Sequence, residues 1–199
     1  TTANTELPTA PQTEVDGADA GVSHTVRGEH PAIRVVTDVL DLEIDPVGGT
    51  IVSARLLNYP EELENPDVKV RLFTQEGADF FIAQSGLLSR QVAPNHTSAY
   101  QSDQFLYELT PGADEIRVPL TWRDDNGLEV TKTFIFERGR YELEVRHTLT
   151  NNSPETWSGS RYEQMQRAVA PDESKGGLNN PGRYSFKGIG FYSPDEKFE

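Results

Sequence analysis

Thr37-Asp38-Val39-Leu40-Asp41-Leu42-Glu43-Ile44-Asp45, followed two residues later by Gly48-Gly49, is the stretch from which the fold is read. Leu40, Leu42 and Ile44 fall on one face of an extended segment, and Asp41, Glu43 and Asp45 on the other. That alternation marks a half-buried strand. Gly48-Gly49 lets the backbone reverse into a second strand over 51–58, because glycine tolerates positive φ. The same period of two recurs downstream, and strands are expected at 33–45, 51–58, 68–73, 79–84, 104–109, 115–122, 128–137, 140–150 and 156–169. The clearest puts Tyr141, Leu143, Val145, His147 and Leu149 on one face, against Glu142, Glu144, Arg146 and Thr148 on the other. Asp124-Asp125-Asn126-Gly127 is a hairpin signal, and Arg138-Gly139 suits a tight turn. Only Tyr59-Pro60-Glu61-Glu62-Leu63 reads as a helical turn, with proline near its first position. Many strands, short turns and almost no helix predict an all-β fold, an antiparallel twisted β-sandwich.

The flanks differ from this body. Residues 1–31 are rich in Thr, Ala, Pro, Asp, Glu and Gly, with only isolated apolar residues such as Leu7, Val15, Val22 and Val26. Such a segment buries too little apolar area to offset its ordering entropy and reads as a disordered linker, leaving 32–199 as the folded domain. A linker joins two things, so an attachment N-terminal to it is expected. After Pro171 the chain is rich in Gly, Asn and Pro through Gly182, which predicts a long loop before a strand-like Tyr184-Ser185-Phe186. The end at Phe198-Glu199, inside a charged aromatic segment, reads as a cut that leaves the sandwich incomplete. Missing strands would expose an edge and apolar faces, so the 199 residues alone are expected to be marginally stable.

Composition removes several function classes. The formal net charge is −14, from 32 acids against 18 bases, and there is no basic stripe to displace counterions from phosphates. Nucleic acid and anionic lipid surfaces are therefore disfavoured, whereas a basic partner is compatible. There is no cysteine, so disulfides, thiol catalysis and zinc–thiolate sites are excluded, although the compartment is not thereby identified. No apolar run approaches the roughly 18–20 residues of a spanning helix, and no signal-peptide pattern occurs in the chain.

Little catalytic chemistry is legible. Of four histidines, His24 and His30 lie in the linker and His96 reads as an exposed loop residue. His147 lies on the apolar face of the best strand. Its simplest reading is a hydrogen-bonded core or edge histidine; the sharper one is a sugar-ring acid/base paired with a carboxylate such as Glu163. No histidine spacing suggests a metal site, and no metal or cofactor is expected. Ser85-Gly86 and Ser158-Gly159-Ser160 lack the flanking glycines of a nucleophile elbow, and Gly48-Gly49 and Gly176-Gly177 lack the lysine of a phosphate loop. All read as turn glycines. Trp122, Trp157, Phe134, Phe136 and Tyr141 are expected to fill the core. Tyr184, Phe186, Phe191, Tyr192, Pro194, Asp195 and Phe198 crowd a glycine-broken region, and form either core packing or a partner-facing aromatic patch.

Several segments together resemble one family. Residues 37–49, TDVLDLEIDPVGG, resemble the opening strand and turn of the periplasmic domain of the YidC family of bacterial membrane protein insertases. Asn58-Tyr59-Pro60-Glu61-Glu62-Leu63 resembles that family's tyrosine-proline-acid turn, and Ala83-Gln84-Ser85-Gly86-Leu87 its AQSGL word. Val130-Thr131-Lys132-Thr133-Phe134 with Arg138-Gly139 looks like its TKTF strand and RG hairpin, and Tyr192–Phe198 its YSTPDEKY segment, one residue shorter. The words occur in family order over 33–199. The resemblance implies a sandwich related to the galactose-mutarotase-like supersandwiches, standing in the periplasm on a multi-spanning inner-membrane protein of a Gram-negative bacterium. It implies a non-catalytic accessory role in a parent that inserts and folds membrane proteins, alone or with the Sec translocon. Nascent inner-membrane proteins and the accessory subunits SecF and SecD would be partners, with SecF contact carried over only to 184–199. A sugar-active or carbohydrate-binding sandwich of the mutarotase type is the competing expectation.

Overall fold

A computed structural model of the chain describes residues 31–168, and within them ten strands and one short 3-10 turn. The strands are β1 (Ile33–Val36), β2 (Leu40–Asp45), β3 (Thr50–Glu62), β4 (Asn65–Phe73), β5 (Phe81–Ser89), β6 (Leu106–Glu108), β7 (Glu115–Arg123), β8 (Leu128–Glu137), β9 (Leu143–Asn151) and β10 (Gly159–Arg167). Seven form one sheet in the order β10-β5-β3-β2-β1-β6, with β4 pairing β3 beside that path, and β7-β8-β9 form a second. The all-β sandwich expected from the alternation is present. Every pairing is antiparallel except β1 with β6, which run parallel with Val35 opposite Tyr107.

The opening stretch folds as its pattern dictates, with one difference. Leu40, Leu42 and Ile44 are buried while Asp41, Glu43 and Asp45 are half-buried. The single strand expected over 33–45 is instead a hairpin of β1 and β2, registered Ile33 to Ile44 and Val36 to Asp41. Thr37 breaks it: its Oγ1 accepts the amide protons of Val39 at 3.2 Å and Leu40 at 2.9 Å, a side-chain turn that competes with the ladder. Residues 59–63 are not a helical turn either. β3 runs on through Tyr59 and Pro60 to Glu62, and Glu62 faces Asn65 across the hairpin to β4. Cross-strand pairing overrides the local preference, and the register shifts beside Pro60, which has no amide proton to give. The strand expected at 79–84 begins as the 3-10 turn Gly77–Asp79, with β5 following.

The two hairpin signals hold, one with a longer connection. Gly127 has φ 97°, and Asp124 Oδ1 accepts from the amides of Asn126 and Leu128 at 3.0 and 2.7 Å. Gly139 has φ 73° in the five-residue connection between β8 and β9. That connection is docked: Arg138 Nε and Nη2 donate to the carbonyls of Ala113 and Thr110, each at 2.8 Å, and the Gly139 amide donates to Asp38.

The core lies between the sheets. Ile33, Val35, Leu40, Leu42, Ile44, Ile51 and Ala54 from the large sheet meet Val118, Leu120, Phe134 and Phe136 from the small one. Each Val, Leu, Ile or Phe side chain among them contributes about 1.5–3 kcal/mol by leaving water. Leu87, Leu128 and Val130 form a smaller cluster against which Trp122, Leu149 and Trp157 pack. Of the aromatics expected in the core, Phe134 and Phe136 are buried and the two tryptophans partly so. Tyr141 is not: it is 39% exposed and tilts against Tyr59, ring centroids 5.7 Å apart.

Candidate functional site

Lys132 is the residue that the packing singles out. Strand alternation places Leu128, Val130, Lys132, Phe134 and Phe136 on one face of β8, so a lysine stands in the middle of an apolar row. It is 0% exposed. Its Nζ crosses the inter-sheet space and donates to the carbonyl of Gly48 at 2.6 Å and that of Ser85 at 2.7 Å. Nζ also lies 5.3 Å from the centre of the Tyr100 ring and 5.9 Å from that of Phe134. Among the described residues it forms no ion pair with a carboxylate. Burial without a counter-ion pushes the amine down from 10.5 to about 7. Sequence reasoning quoted Lys132 only as part of a word. The signal that finds it is a charged residue at an inward position of an otherwise apolar alternation.

The neighbouring groups form a buried polar cluster around that amine. His147 lies directly across from Lys132 in the β8–β9 register. Both ring nitrogens of His147 are buried with no hydrogen-bond partner, and burial, with help from Lys132 and Arg161, pushes the imidazole down to about 4. Tyr100 is 4% exposed, its hydroxyl is likewise buried and unpartnered, and burial raises its pKa. His96, expected in an exposed loop, is only 4% exposed. The Tyr162 hydroxyl accepts the His96 amide proton at 3.0 Å and lies 2.6 Å from Nδ1. The hydroxyl and Nδ1 share one hydrogen bond whose direction follows the imidazole tautomer, because the phenol oxygen has a second lone pair as well as its own proton. Burial, then the Lys132 charge, lowers the His96 pKa.

Two glycines read as turn residues serve close approach. Gly86 lies inside β5, where an added Cβ would meet Asn95 Cα and Tyr162 Oη, each at 2.8 Å. Gly159 opens β10 against Trp157. Gly48 and Gly49 are turn glycines, with φ 75° and 56°. A Cβ on Gly48 would strike the His96 carbonyl, and one on Gly49 would come within 2.9 Å of Lys132 Cδ. Gly176 and Gly177 lie outside the described residues.

The acid/base pair considered for sugar chemistry is not formed. Glu163 is exposed and lies 3.9 Å from Arg161, whereas the His147 nitrogens contact no polar partner. Nor is His147 the hydrogen-bonded histidine of the simpler expectation. Among the described residues no three His, Asp or Glu side chains gather as a metal site, and no helix is long and apolar enough to cross a membrane. Tyr184, Phe186, Phe191, Tyr192, Pro194, Asp195 and Phe198 lie outside the described residues, as do His24, His30 and residues 1–30 of the expected linker.

Three of the quoted words therefore meet at one atom: the Gly48-Gly49 turn, Ala83–Leu87 and Val130–Phe134 converge on Lys132 Nζ. Comparison with known proteins agrees with those words. A family model described as the YidC periplasmic domain matches residues 32–199. The chain is 37% identical to the membrane protein insertase YidC of Thioalkalivibrio sulfidiphilus, over 98% of this chain and 35% of that protein. It is 49% identical to the YidC of Methylococcus capsulatus, over 68% of this chain and 25% of that protein. The YidC of Nitrosococcus oceani is 35% identical over 85% of this chain and 31% of its own length. The chain thus spans about a quarter to a third of the curated relatives it matches. On that match and on the all-β sandwich, the chain belongs to the YidC periplasmic-domain family.

Proposed function

We propose that this chain is the periplasmic accessory domain of an inner-membrane insertase of the YidC kind, and carries out no catalysis of its own. The observation that carries the reading is the family match over residues 32–199, in relatives whose name is membrane protein insertase. The parent would insert and fold nascent inner-membrane proteins, alone or with the Sec translocon. The geometry is in keeping with a scaffold: the amine with the most displaced basicity is sealed in the core, where no substrate reaches it. SecF and SecD are the proposed partners, with SecF met through the aromatic segment at Tyr184, Phe186, Phe191, Tyr192, Pro194, Asp195 and Phe198.

Photo-crosslinking tests the partner assignment. A benzophenone amino acid at Phe186, Phe191 or Tyr192 of the full-length parent is expected to capture SecF in membranes. Capture only from control positions on β4 would overturn the contact surface while leaving the family assignment intact. The absence of catalysis is tested separately with the purified 199-residue chain and an anomerically pure aldohexose. Acceleration of anomerisation above the buffer rate, abolished by His147→Gln, would overturn the accessory-domain reading.

A further inference from the structure

We propose that Lys132 is a proton-sensitive latch between the two sheets: its neutral amine ties β8 to the Gly48 turn and to β5, and protonation loosens that tie. This goes beyond the family reading and stands independently of it. The geometry carries the first half. A neutral amine has two N–H donors, and two carbonyls of the opposite sheet receive them, at 2.6 Å from Gly48 and 2.7 Å from Ser85. An ammonium adds a third donor and a full charge among Leu120, Phe134 and the Tyr100 ring, in a site 0% exposed.

Among the described residues no carboxylate pairs with that charge, and two backbone carbonyls with the faces of the Tyr100 and Phe134 rings take the place of its water shell. β7 presents Leu120 across the register, and the Gly48 turn and β5 present backbone carbonyls. β9 presents His147, whose basicity is depressed. The 94–100 segment presents His96, hydrogen-bonded to Tyr162 and depressed in basicity, and Tyr100; β10 adds Tyr162 and, toward His147, Arg161. Every charged form in this set except a tyrosinate repels an ammonium, and burial raises both tyrosines rather than ionising them. Lowering the pH therefore favours states in which Nζ reaches water. The flanking contacts are the Gly48 amide donating to Ser98 and the Leu87 amide donating to Pro94, 2.8 and 2.9 Å long, and they report such openings.

The test follows the Lys132 side chain by NMR in the labelled 199-residue chain, with amide exchange at Gly48 and Leu87. The expected Lys132 midpoint lies near neutral pH. After correction for intrinsic exchange chemistry, opening at both amides should rise up to tenfold for each pH unit lowered from 9 to 7, then level off. Lys132→Met should abolish that dependence, and His147→Gln, which leaves the amine in place, should keep it. A Lys132 midpoint near that of a free lysine would overturn the latch, as would an unchanged slope in Lys132→Met or a slope lost in His147→Gln alone. Should Lys132→Met fail to fold, the native titration and the His147→Gln slope decide the matter.

Discussion

At the scale of single residues, Lys132 shows how a side chain can be costly and necessary together. Shortening it to alanine leaves the Gly48 and Ser85 carbonyls unpaired and opens a cavity, whereas methionine fills the space and loses only the hydrogen bonds. Lys132→Ala should be less stable than Lys132→Met by about 2–5 kcal/mol, the cost of the cavity, in denaturant unfolding at pH 8. The ranking is the point: equal losses would deny the cavity. The pH dependence has a definite sign. The folded amine titrates near 7 and the unfolded one near 10.5, so between these values only the unfolded chain holds the proton. Stability should rise with pH across that window, by up to about 1.4 kcal/mol per unit, with no further loss from this group below pH 7. His147, depressed from 6.5 to about 4, acts in the same direction at lower pH: its contribution is lost as the pH falls from 6.5 to 4. His147→Leu should flatten that acid arm of a melting-temperature profile while leaving the alkaline arm unchanged.

At the scale of elements, the turns differ in what their glycines do, and substitution separates the cases. Gly48 and Gly139 both have positive φ, 75° and 73°. An alanine at Gly139 meets nothing within 4 Å and should cost about 1 kcal/mol, the backbone penalty alone. An alanine at Gly48 meets the same penalty and also strikes the His96 backbone, so it should cost clearly more, measured side by side by thermal unfolding. Equal effects would mean that the 94–100 segment yields without loss. The β3–β4 hairpin contrasts with the core strands. Leu63 at its tip is 88% exposed, and Leu42 in β2 is 2% exposed. Leu63→Ala should leave stability within about 0.5 kcal/mol of native, whereas Leu42→Ala should remove about 2–5 kcal/mol. The hairpin also explains why residues 59–63 misled local reasoning: a proline followed by glutamates favours a helix start, and only the partner strand β4 makes the segment extended.

At the scale of the molecule, the two sheets share one core and should unfold together. The main cluster draws on β1, β2 and β3 from one sheet and on β7 and β8 from the other. Trp122 and Trp157 pack against the smaller cluster, and Trp122 against the main one as well, so tryptophan fluorescence should track far-UV circular dichroism in a single transition. Phe134→Ala should shift both signals together by about 3–5 kcal/mol. Separate midpoints for the two signals would show that the sheets are independent.

Local pattern was enough for the all-β class, the apolar faces of β2 and β9, the Asp124–Gly127 turn and the family resemblance, because period-two alternation, turn chemistry and short words are local properties of the chain. Long-range contacts settle that 33–45 folds back on itself at Thr37, that β1 lies parallel to β6, and that Tyr141 stays outside. The same contacts bring Gly48, Ser85, His96, Tyr100 and His147 around Lys132, and keep Glu163 away from His147. The physical reason is range. Alternation says which face of a strand avoids water, but not which strand lies opposite, and the burial of a charge depends on what covers it.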